Sequence, residues 1–230
     1  MANLKERIKH NRFLIFVIMT IRRLFGKNII KKARGNRLQI DGLMNGARIH
    51  INGKENEILI KNPKINMGLH IFINGNHNRL IIEENCVLKN LTVWIEDDAN
   101  EVYIGKNTLI YGATKLSCIE GKRITIGENC MFSDGIDIRT GDSHSILNKE
   151  GKRINASKDV VFSNHIWIGH DVTVLKGVCV AKDSILATKS VVTKAFTQEG
   201  IVLAGNPAKI VKENINWDVA RLPIEEICDG

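Results

Sequence analysis

The chain has 230 residues, a length that suits one main domain with a sizeable core, and 43% of its residues are hydrophobic. This composition argues against a disordered chain, a collagen-like chain or a disulfide scaffold. The net charge is +8, but eleven of the 33 Lys and Arg residues lie in residues 1–37 against one of the 25 acidic residues, so residues 38–230 carry 22 basic and 24 acidic side chains. The main domain therefore lacks the basic excess of a nucleic-acid-binding protein, and we expect no nucleic-acid partner.

Residues 1–37 are predicted to form a basic, amphipathic helical segment. Within it, residues 13–21 are apolar except for Thr20, and this run is much shorter than the roughly 20 residues that a membrane-spanning helix needs. Arg22 and Arg23 follow, where a secretory signal would have small residues at its cleavage site. Two alternatives stay open: a helix that lies in a membrane surface, and a helix that packs on the main domain or on a neighbouring subunit.

A repeat of six residues defines the predicted main domain, residues 38–195. The repeat is loose near Leu38, where Asn and Gly are frequent and suit corners with left-handed backbone angles. It becomes regular at Ile104 and shifts register between Leu116 and Ile126. Near the end it is strict, with large apolar residues at Phe162, Ile168, Val174, Val180, Leu186 and Val192. A period of six is neither helical nor the alternation of a long strand.

We interpret each unit as one short strand followed by one corner, with its large apolar residue pointing towards a central axis. Three units close a triangular coil. Successive coils stack about 4.8 Å apart, with their strands paired in parallel. The sequence thus predicts an all-β protein with the parallel β-helix fold.

Two segments interrupt or follow the repeat. Residues 141–160, GDSHSILNKEGKRINASKDV, are polar and lack regular apolar positions, so we expect them to leave the coil as an excluded loop. A long loop that contributes nothing to the core is usually functional. Residues 196–230 are predicted to form a short C-terminal extension.

The cysteines are five in number and include no Cys-x-x-Cys pair. Most of them lie inside apolar periodic segments, where a small hydrophobic side chain would serve. They are Cys86, Cys118, Cys130, Cys179 and Cys228. We expect reduced thiols and a cytoplasmic protein, with peripheral contact to the inner face of the membrane as a possibility that the basic segment leaves open.

The segment WIGHDVTVLKGVCVAKDSILATKSVVTK, followed by VLAGNPAKIVK, resembles the hexapeptide-repeat acyltransferases. The combination of GDSHSI, GKRIN and HIWIG is similar to the capsule and polysialic acid O-acetyltransferases of that group, over roughly residues 104–212. The resemblance implies a left-handed β-helix, a homotrimer, acetyl-CoA as donor, and direct transfer to a hydroxyl of a sugar or cell-surface polysaccharide in clefts between subunits. The left hand comes from the resemblance alone, because crossovers between parallel strands are right-handed in about 98% of cases.

The resemblance also assigns catalytic residues. An alcohol attacks a thioester only when a base removes its proton, and histidine side chains suit this task near neutral pH. His144 of GDSHSI is the predicted general base, and either Asp142 or a backbone carbonyl would orient its imidazole. Trp167 precedes the inward Ile168 and therefore points outward. By resemblance it borders the active-site cleft, and burial at a subunit interface is the alternative.

For acetyl-CoA, the resemblance points to the C-terminal coils. The predicted binding residues are Gly169, Ala187, Thr193, Lys194, Asn206, Pro207 and Lys209. The backbone of the first two would line the pantetheine arm, the next two would close the last coil, and the last three would lie near the nucleotide. Residues 195–200, AFTQEG, depart from the family pattern, in which prolines are usual.

Three other functions stay open. An N-acetyltransferase for an amino sugar would need few changes. His165 and His170 have the spacing of the H-x4-H motif of the zinc-dependent γ-class carbonic anhydrases, but no upstream histidine offers a third ligand in a matching context, so we expect no metal. The third alternative is a catalytically silent solenoid.

Overall fold

The computed structural model describes residues 11–24 and 27–223. In these residues it contains one helix, α1 (Arg12–Leu24), and 23 short strands. The strands are β1 (Ile29–Lys32), β2 (Arg37–Ile40), β3 (Arg48–Asn52), β4 (Glu57–Ile60), β5 (Ile65–Met67), β6 (His70–Asn74), β7 (Arg79–Ile82), β8 (Val87–Lys89), β9 (Leu91–Glu96), β10 (Glu101–Ile104), β11 (Leu109–Ile110), β12 (Thr114–Cys118), β13 (Arg123–Ile126), β14 (Met131–Phe132), β15 (Ile136–Arg139), β16 (Val160–Phe162), β17 (Trp167–Ile168), β18 (Thr173–Val174), β19 (Cys179–Val180), β20 (Ile185–Leu186), β21 (Val191–Val192), β22 (Val202–Gly205) and β23 (Ala208–Lys212). Among the described residues, no helix has the length and apolar character that crossing a membrane requires.

Three sheets form the faces of a triangular prism. Sheet A holds β1, β3, β6, β9, β12, β15, β18 and β21, sheet B holds β2, β4, β7, β10, β13, β16 and β19, and sheet C holds β5, β8, β11, β14, β17, β20, β22 and β23. All pairings between strands of successive coils are parallel, and only the final hairpin of β22 and β23 is antiparallel. The chain visits sheets B, C and A in turn, so each coil has a B–C, a C–A and an A–B corner.

The core is the column of side chains inside the prism. The six residues of the strict repeat, from Phe162 to Val192, are all buried and belong to one continuous cluster that reaches back to Met44. Cys86, Cys118 and Cys130 lie in the same cluster, with free thiols. The predicted inward positions are therefore confirmed.

The coils are longer in the N-terminal half. In sheet B the pairing runs from Glu57 to Arg79, Glu101 and Arg123, a step of 22 residues, whereas Val161 pairs with Cys179 after 18 residues. The additional residues lie at the A–B corner, and the register shift predicted between Leu116 and Ile126 falls between β12 and β13 at this same corner. A wide corner thus explains why the six-residue repeat is loose before Ile126.

Buried asparagines close this corner. Asn36, Asn56, Asn78 and Asn100 are stacked one per coil, and each is at most 8% exposed. The side-chain oxygen of Asn56 accepts a hydrogen bond from the backbone N–H of Asn78 at 2.9 Å, and the Asn78 oxygen accepts one from Asn100 at 2.8 Å. Each side-chain amide therefore accepts a hydrogen bond from a buried backbone N–H of the next coil. Left unpaired, these N–H groups would destabilise the fold.

The structure changes two predicted boundaries. Strand β1 starts at Ile29 and pairs with β3, so the prism begins inside the segment predicted to be helical through residue 37. The side chain of Asn28 is buried and accepts a hydrogen bond from the backbone N–H of Ala47 at 3.0 Å. At the other end, β22 pairs in parallel with β20, so the coils continue beyond residue 195. Residues 1–10 and Cys228 lie outside the described residues.

Candidate active site

The excluded loop leaves the prism at an A–B corner, between Arg139 at the end of β15 and Val160 at the start of β16. It forms a hairpin of its own, because the backbone N–H of Ile154 donates to the carbonyl of Ile146 at 2.9 Å and Leu147 pairs with Arg153. The aliphatic side chains of this hairpin are Ile146, Leu147 and Ile154, and they are 54%, 56% and 62% exposed. A projecting arm with exposed aliphatic side chains is typical of a segment that contacts another surface.

Asn155 fastens the two ends of the loop together. Its side-chain nitrogen donates to the carbonyl of His144 at 2.7 Å and to the carboxylate of Asp142 at 2.8 Å, while its oxygen accepts from the N–H of Ile146 at 2.9 Å. Asn155 is itself buried, whereas its partners lie at the surface. The backbone around His144 is thereby held to the base of the hairpin.

Asp142 ties this base to the next coil. Its carboxylate forms an ion pair with Lys176, which lies at the following A–B corner and also donates to the carbonyl of Asn155 at 3.1 Å. The hydrogen bonds from Lys176 and Asn155 hold the pKa of Asp142 below its ordinary value. Neither contact is with the imidazole of His144, so the geometry gives Asp142 an anchoring role.

A second ion pair holds the returning strand of the hairpin. The Arg153 guanidinium lies 2.6 Å from the Glu120 carboxylate, which also accepts from the backbone N–H of Ser157 at 3.3 Å. The hydrogen bond from Arg153 lowers the pKa of Glu120. The arm is therefore attached to the preceding coil through Glu120 and to the following coil through Lys176.

His144 itself is exposed on the described surface, and its ring has no hydrogen-bond partner among the described residues. The preceding residue, Ser143, has a φ of 64°, a left-handed conformation that non-glycine residues seldom adopt. The Asn155 bonds stabilise this conformation, which places an unpaired imidazole at the base of the arm. An accessible base of this kind can accept a proton from a bound hydroxyl group.

Trp167 lies on β17 in the outer surface of sheet C and is 36% exposed. It pairs with Met131 in the coil before and with Ile185 in the coil after. The ring of Trp217 lies 6.0 Å from it, measured between ring centroids. Because sheet C is opposite the A–B corner in a triangular coil, Trp167 and the arm with His144 do not share a face of one chain.

Sequence reasoning missed Trp217. This residue of the C-terminal segment is 8% exposed, stacks on His165 with ring centroids 4.1 Å apart, and donates its indole N–H to the carbonyl of His165 at 2.9 Å. The imidazole of His165 is also held by Asp183, whose carboxylate lies 2.9 Å from Nδ1. A lone tryptophan in a polar tail was the available signal.

Gly169 and Ala187 form one stack at the C–A corner, directly after β17 and β20. The backbone N–H of Gly169 donates to Leu186 and that of Ala187 to Leu203, both at 2.8 Å. A Cβ at Gly169 would lie 2.8 Å from the backbone nitrogen of Thr188, so only glycine fits there. Backbone groups are thus brought to the edge of the face that holds Trp167.

The remaining residues predicted to bind acetyl-CoA lie in two places. Asn206 and Pro207 form the turn between β22 and β23, and Lys209 is exposed on β23, which belongs to sheet C. Thr193 and Lys194 instead follow β21 at an A–B corner, two coils beyond the corner of the arm. The structure therefore groups five of the seven residues along sheet C and places Thr193 and Lys194 with the His144 side of the prism.

The two histidines of the H-x4-H motif have other contacts. His165 is held by Asp183 and Trp217, and Nε2 of His170 lies 3.2 Å from the Asp171 carboxylate. Within residues 11–24 and 27–223, no group of three or more His, Cys, Asp or Glu side chains has the arrangement of a metal site.

Comparison with known proteins places the chain in a family, although no family model matches it. It is 38% identical over 104 residues to the polysialic acid O-acetyltransferase of Neisseria meningitidis, and this match spans 48% of the relative, about half its length. The crystal structure of the polySia specific acetyltransferase NeuO superimposes with a TM-score of 0.62 at 32% identity, covering 76% of this chain and 92% of that one. The polysialic acid O-acetyltransferase OatWY gives a TM-score of 0.60 at 29% identity, covering 88% and 93%.

These likenesses confirm the predicted fold class, a left-handed parallel β-helix of hexapeptide repeats. They extend to the N-terminal coils, because the superposition covers most of the chain. The chain belongs to the hexapeptide-repeat acetyltransferases, within the group that includes the polysialic acid O-acetyltransferases.

Proposed function

We propose that this chain is an acetyl-CoA-dependent O-acetyltransferase that modifies a hydroxyl of a cell-surface polysaccharide, and that it acts as a homotrimer with His144 as general base. One observation carries the proposal. The arm with His144 leaves an A–B corner, whereas Trp167 and the backbone edge at Gly169 lie on sheet C and its C–A corner. One prism cannot bring these elements into one cleft, but two neighbouring prisms can.

The outer surface of sheet C supports a subunit contact. Seven apolar residues follow one another across its coils: Ile65, Val87, Leu109, Met131, Trp167, Ile185 and Val202. An apolar stripe of this length is usually covered by a partner. The exposed aliphatic side chains of the arm, at Ile146 and Leu147, form a matching surface. Three prisms related by a threefold axis would cover every copy of both surfaces, which gives a closed assembly.

The site can perform acetyl transfer directly. The acceptor oxygen attacks the thioester carbonyl carbon and forms a C–O bond, while the imidazole of His144 takes the hydroxyl proton. The C–S bond then breaks, and the imidazolium returns the proton to the departing sulfur. The N–H groups of Gly169 and Ala187 are bonded within the coils, so other N–H groups at the C–A corner would stabilise the negative charge that develops on the carbonyl oxygen.

The test is thiol release from acetyl-CoA, measured with sialic acid polymers, other capsule repeats and free amino sugars as acceptors. We expect release with a polysaccharide, together with an acetyl ester that mild base removes. Release confined to amino sugars, with a base-stable amide as product, would instead identify an N-acetyltransferase. No release with any acceptor from a folded protein would contradict the enzymatic proposal.

A further inference from the structure

The outer surface of sheet A carries a ladder of cations and aromatic rings. In the register of the sheet, Lys31 is followed by His50, Phe72 and Trp94 along one column. A second column beside it holds Arg48, His70, Thr92 and Lys115. The two columns together are called the face A ladder below, and with Arg139 at the end of β15 they span six strands, about 24 Å at the usual strand spacing.

The rings of the ladder are stacked and partly exposed. Phe72 and Trp94 lie nearly parallel, with centroids 4.2 Å apart and 21° between their planes, and the ring of His50 meets Phe72 edge-on at 5.8 Å. The ammonium of Lys115 lies 5.6 Å from the centroid of Trp94. Beside these rings is a depression of about 300 Å³, lined at its ends by Ile29 and Trp94.

The cations of the ladder differ from those of sheet B. On sheet B, Arg37, Glu57, Arg79 and Glu101 alternate in sign and form ion pairs across the coils. On face A, no described carboxylate lies within ion-pair distance of Lys31, Arg48 or Lys115. The carboxylates of its strands are Asp137, which is neutralised by Arg139, and Glu96 at the end of β9.

The geometry points to an anionic polysaccharide as the occupant of the face A ladder. The partly exposed edges of Phe72 and Trp94 offer apolar contacts for sugar rings, and the unpaired cations Lys31, Arg48 and Lys115 match negative groups spaced along a polymer. The ladder runs into Arg139, the last residue before the arm that carries His144. It would therefore hold several sugars of the acceptor outside the catalytic cleft and direct the chain towards it.

This inference rests on the proposed function only where it predicts an effect on the rate of acetyl transfer. Binding of the polysaccharide is therefore measured without acetyl-CoA. Full-length protein is titrated with polysialic acid, with neutral dextran of matched length, and with polyglutamate, a polyanion that has no sugar rings. We expect polysialic acid to bind most tightly. Equal binding of polyglutamate would overturn the role of the rings, and equal binding of dextran would overturn the role of the cations.

Two sets of variants locate the site. Phe72→Ala with Trp94→Ala, and separately Arg48→Gln with Lys115→Gln, should each raise the Kd for polysialic acid about tenfold, which corresponds to about 1.4 kcal/mol. The second set changes exposed side chains and tests the ladder even if the first set folds poorly. The control is Arg79→Gln on sheet B, which should bind as the original protein does.

Kinetics separate the two proposals. If acetyl transfer occurs, the ladder variants should lower kcat/KM for the polymer relative to that for a single sugar. Transfer to polymer with unchanged Kd in both variant sets would overturn the ladder and leave the proposed function intact. Polymer binding that the variants abolish, without transfer to any acceptor, would support the ladder and contradict the proposed function.

Discussion

The ion pair between Asp142 and Lys176 joins the first residues of the arm to the coil that follows, across 34 positions of sequence. Its consequence is mechanical: the backbone next to His144 is attached to the rigid prism instead of moving with the arm. Under the proposed function, this attachment matters because a general base must lie within hydrogen-bond distance of the proton that it removes.

We predict that Asp142→Asn loosens the arm and lowers turnover without unfolding the prism. The amide loses the charge that Lys176 binds, so trypsin should cut faster at Lys149 and Lys152, while the thermal midpoint changes little. The control is Asp171→Asn, which removes a carboxylate that is also paired with a lysine, Lys189, but lies away from the arm. Equal cleavage of both variants would contradict the anchoring role.

The same ion pair predicts an acid dependence. Because Lys176 and Asn155 lower the pKa of Asp142 in the folded protein, the stabilisation is fully present above the ordinary carboxyl pKa of about 3.9 and is lost as the pH falls through the lowered value. The protection of arm amides, measured relative to their intrinsic exchange rate at each pH, should therefore fall below about pH 4 before that of the coils. In Asp142→Asn the arm should lack this step.

Replacement of His144 should affect turnover and spare binding. His144→Ala is expected to keep the fold and the affinity for CoA, because the proposed donor site lies on sheet C, whereas acetyl transfer should fall by about 10²- to 10⁴-fold. His77→Ala is a matched control, since His77 is an exposed histidine paired with Glu55 far from the arm. A His144→Ala protein that keeps more than about a tenth of the turnover would indicate another base.

The assembly should be a trimer in solution. Light scattering at micromolar concentration should give three times the mass of one chain, and Leu147→Asp should shift the population towards monomer because it places a charge among the exposed aliphatic side chains of the arm. Val219→Asp is the control, as Val219 and Leu147 are equally exposed, at 56%. A monomer from the unmodified chain would contradict both the trimer and the shared cleft.

Trp217 should stabilise the surface around Trp167. Trp217→Phe keeps a ring on His165 but loses one hydrogen bond, so the free energy of unfolding should fall by about 1 kcal/mol. Trp217→Ala also removes a buried ring and should cost about 3 kcal/mol or more. Denaturant unfolding measures both, and the fluorescence of Trp167 should shift to longer wavelength only in the alanine variant.

We propose that the N-terminal segment locates the protein at an anionic membrane surface. In α1 the side chains of Phe13 and Phe16 are exposed, and basic residues surround the helix in sequence. Electrostatic attraction contributes about 1 kcal/mol per basic residue near such a surface. A chain starting at Lys27 keeps Asn28 and β1 and should fold but not float with anionic liposomes. Equal flotation of both forms would assign the helix to packing.

Part of this architecture could be predicted because one physical rule produces it. An inward apolar residue at every sixth position, from Phe162 to Val192, indicates the coil directly. The rule fails before Ile126, where four additional residues at the A–B corner break the period. The 22-residue spacing of Asn56, Asn78 and Asn100 was the signal for these wider coils, since each amide bonds to the next.

The site could be predicted only in part. His144 and Trp167 were identified by resemblance, but their separation on the prism depends on coil geometry that no local motif contains. Asp142 precedes His144 by two positions and was, with a backbone carbonyl, one of two candidates to orient it, whereas the fold brings Lys176 to its carboxylate. Trp217 belongs to a segment without periodicity, so its packing on His165 has no sequence pattern.

The constant step of 22 residues also has an evolutionary consequence. A tandem duplication or deletion of one such unit between Arg48 and Ile104 would preserve the asparagine contacts, the inward columns and the phase of the remaining coils. The coil that carries the arm would be unaffected. The outer face of sheet A can therefore be lengthened or shortened by whole coils in evolution while the end that carries the arm stays the same.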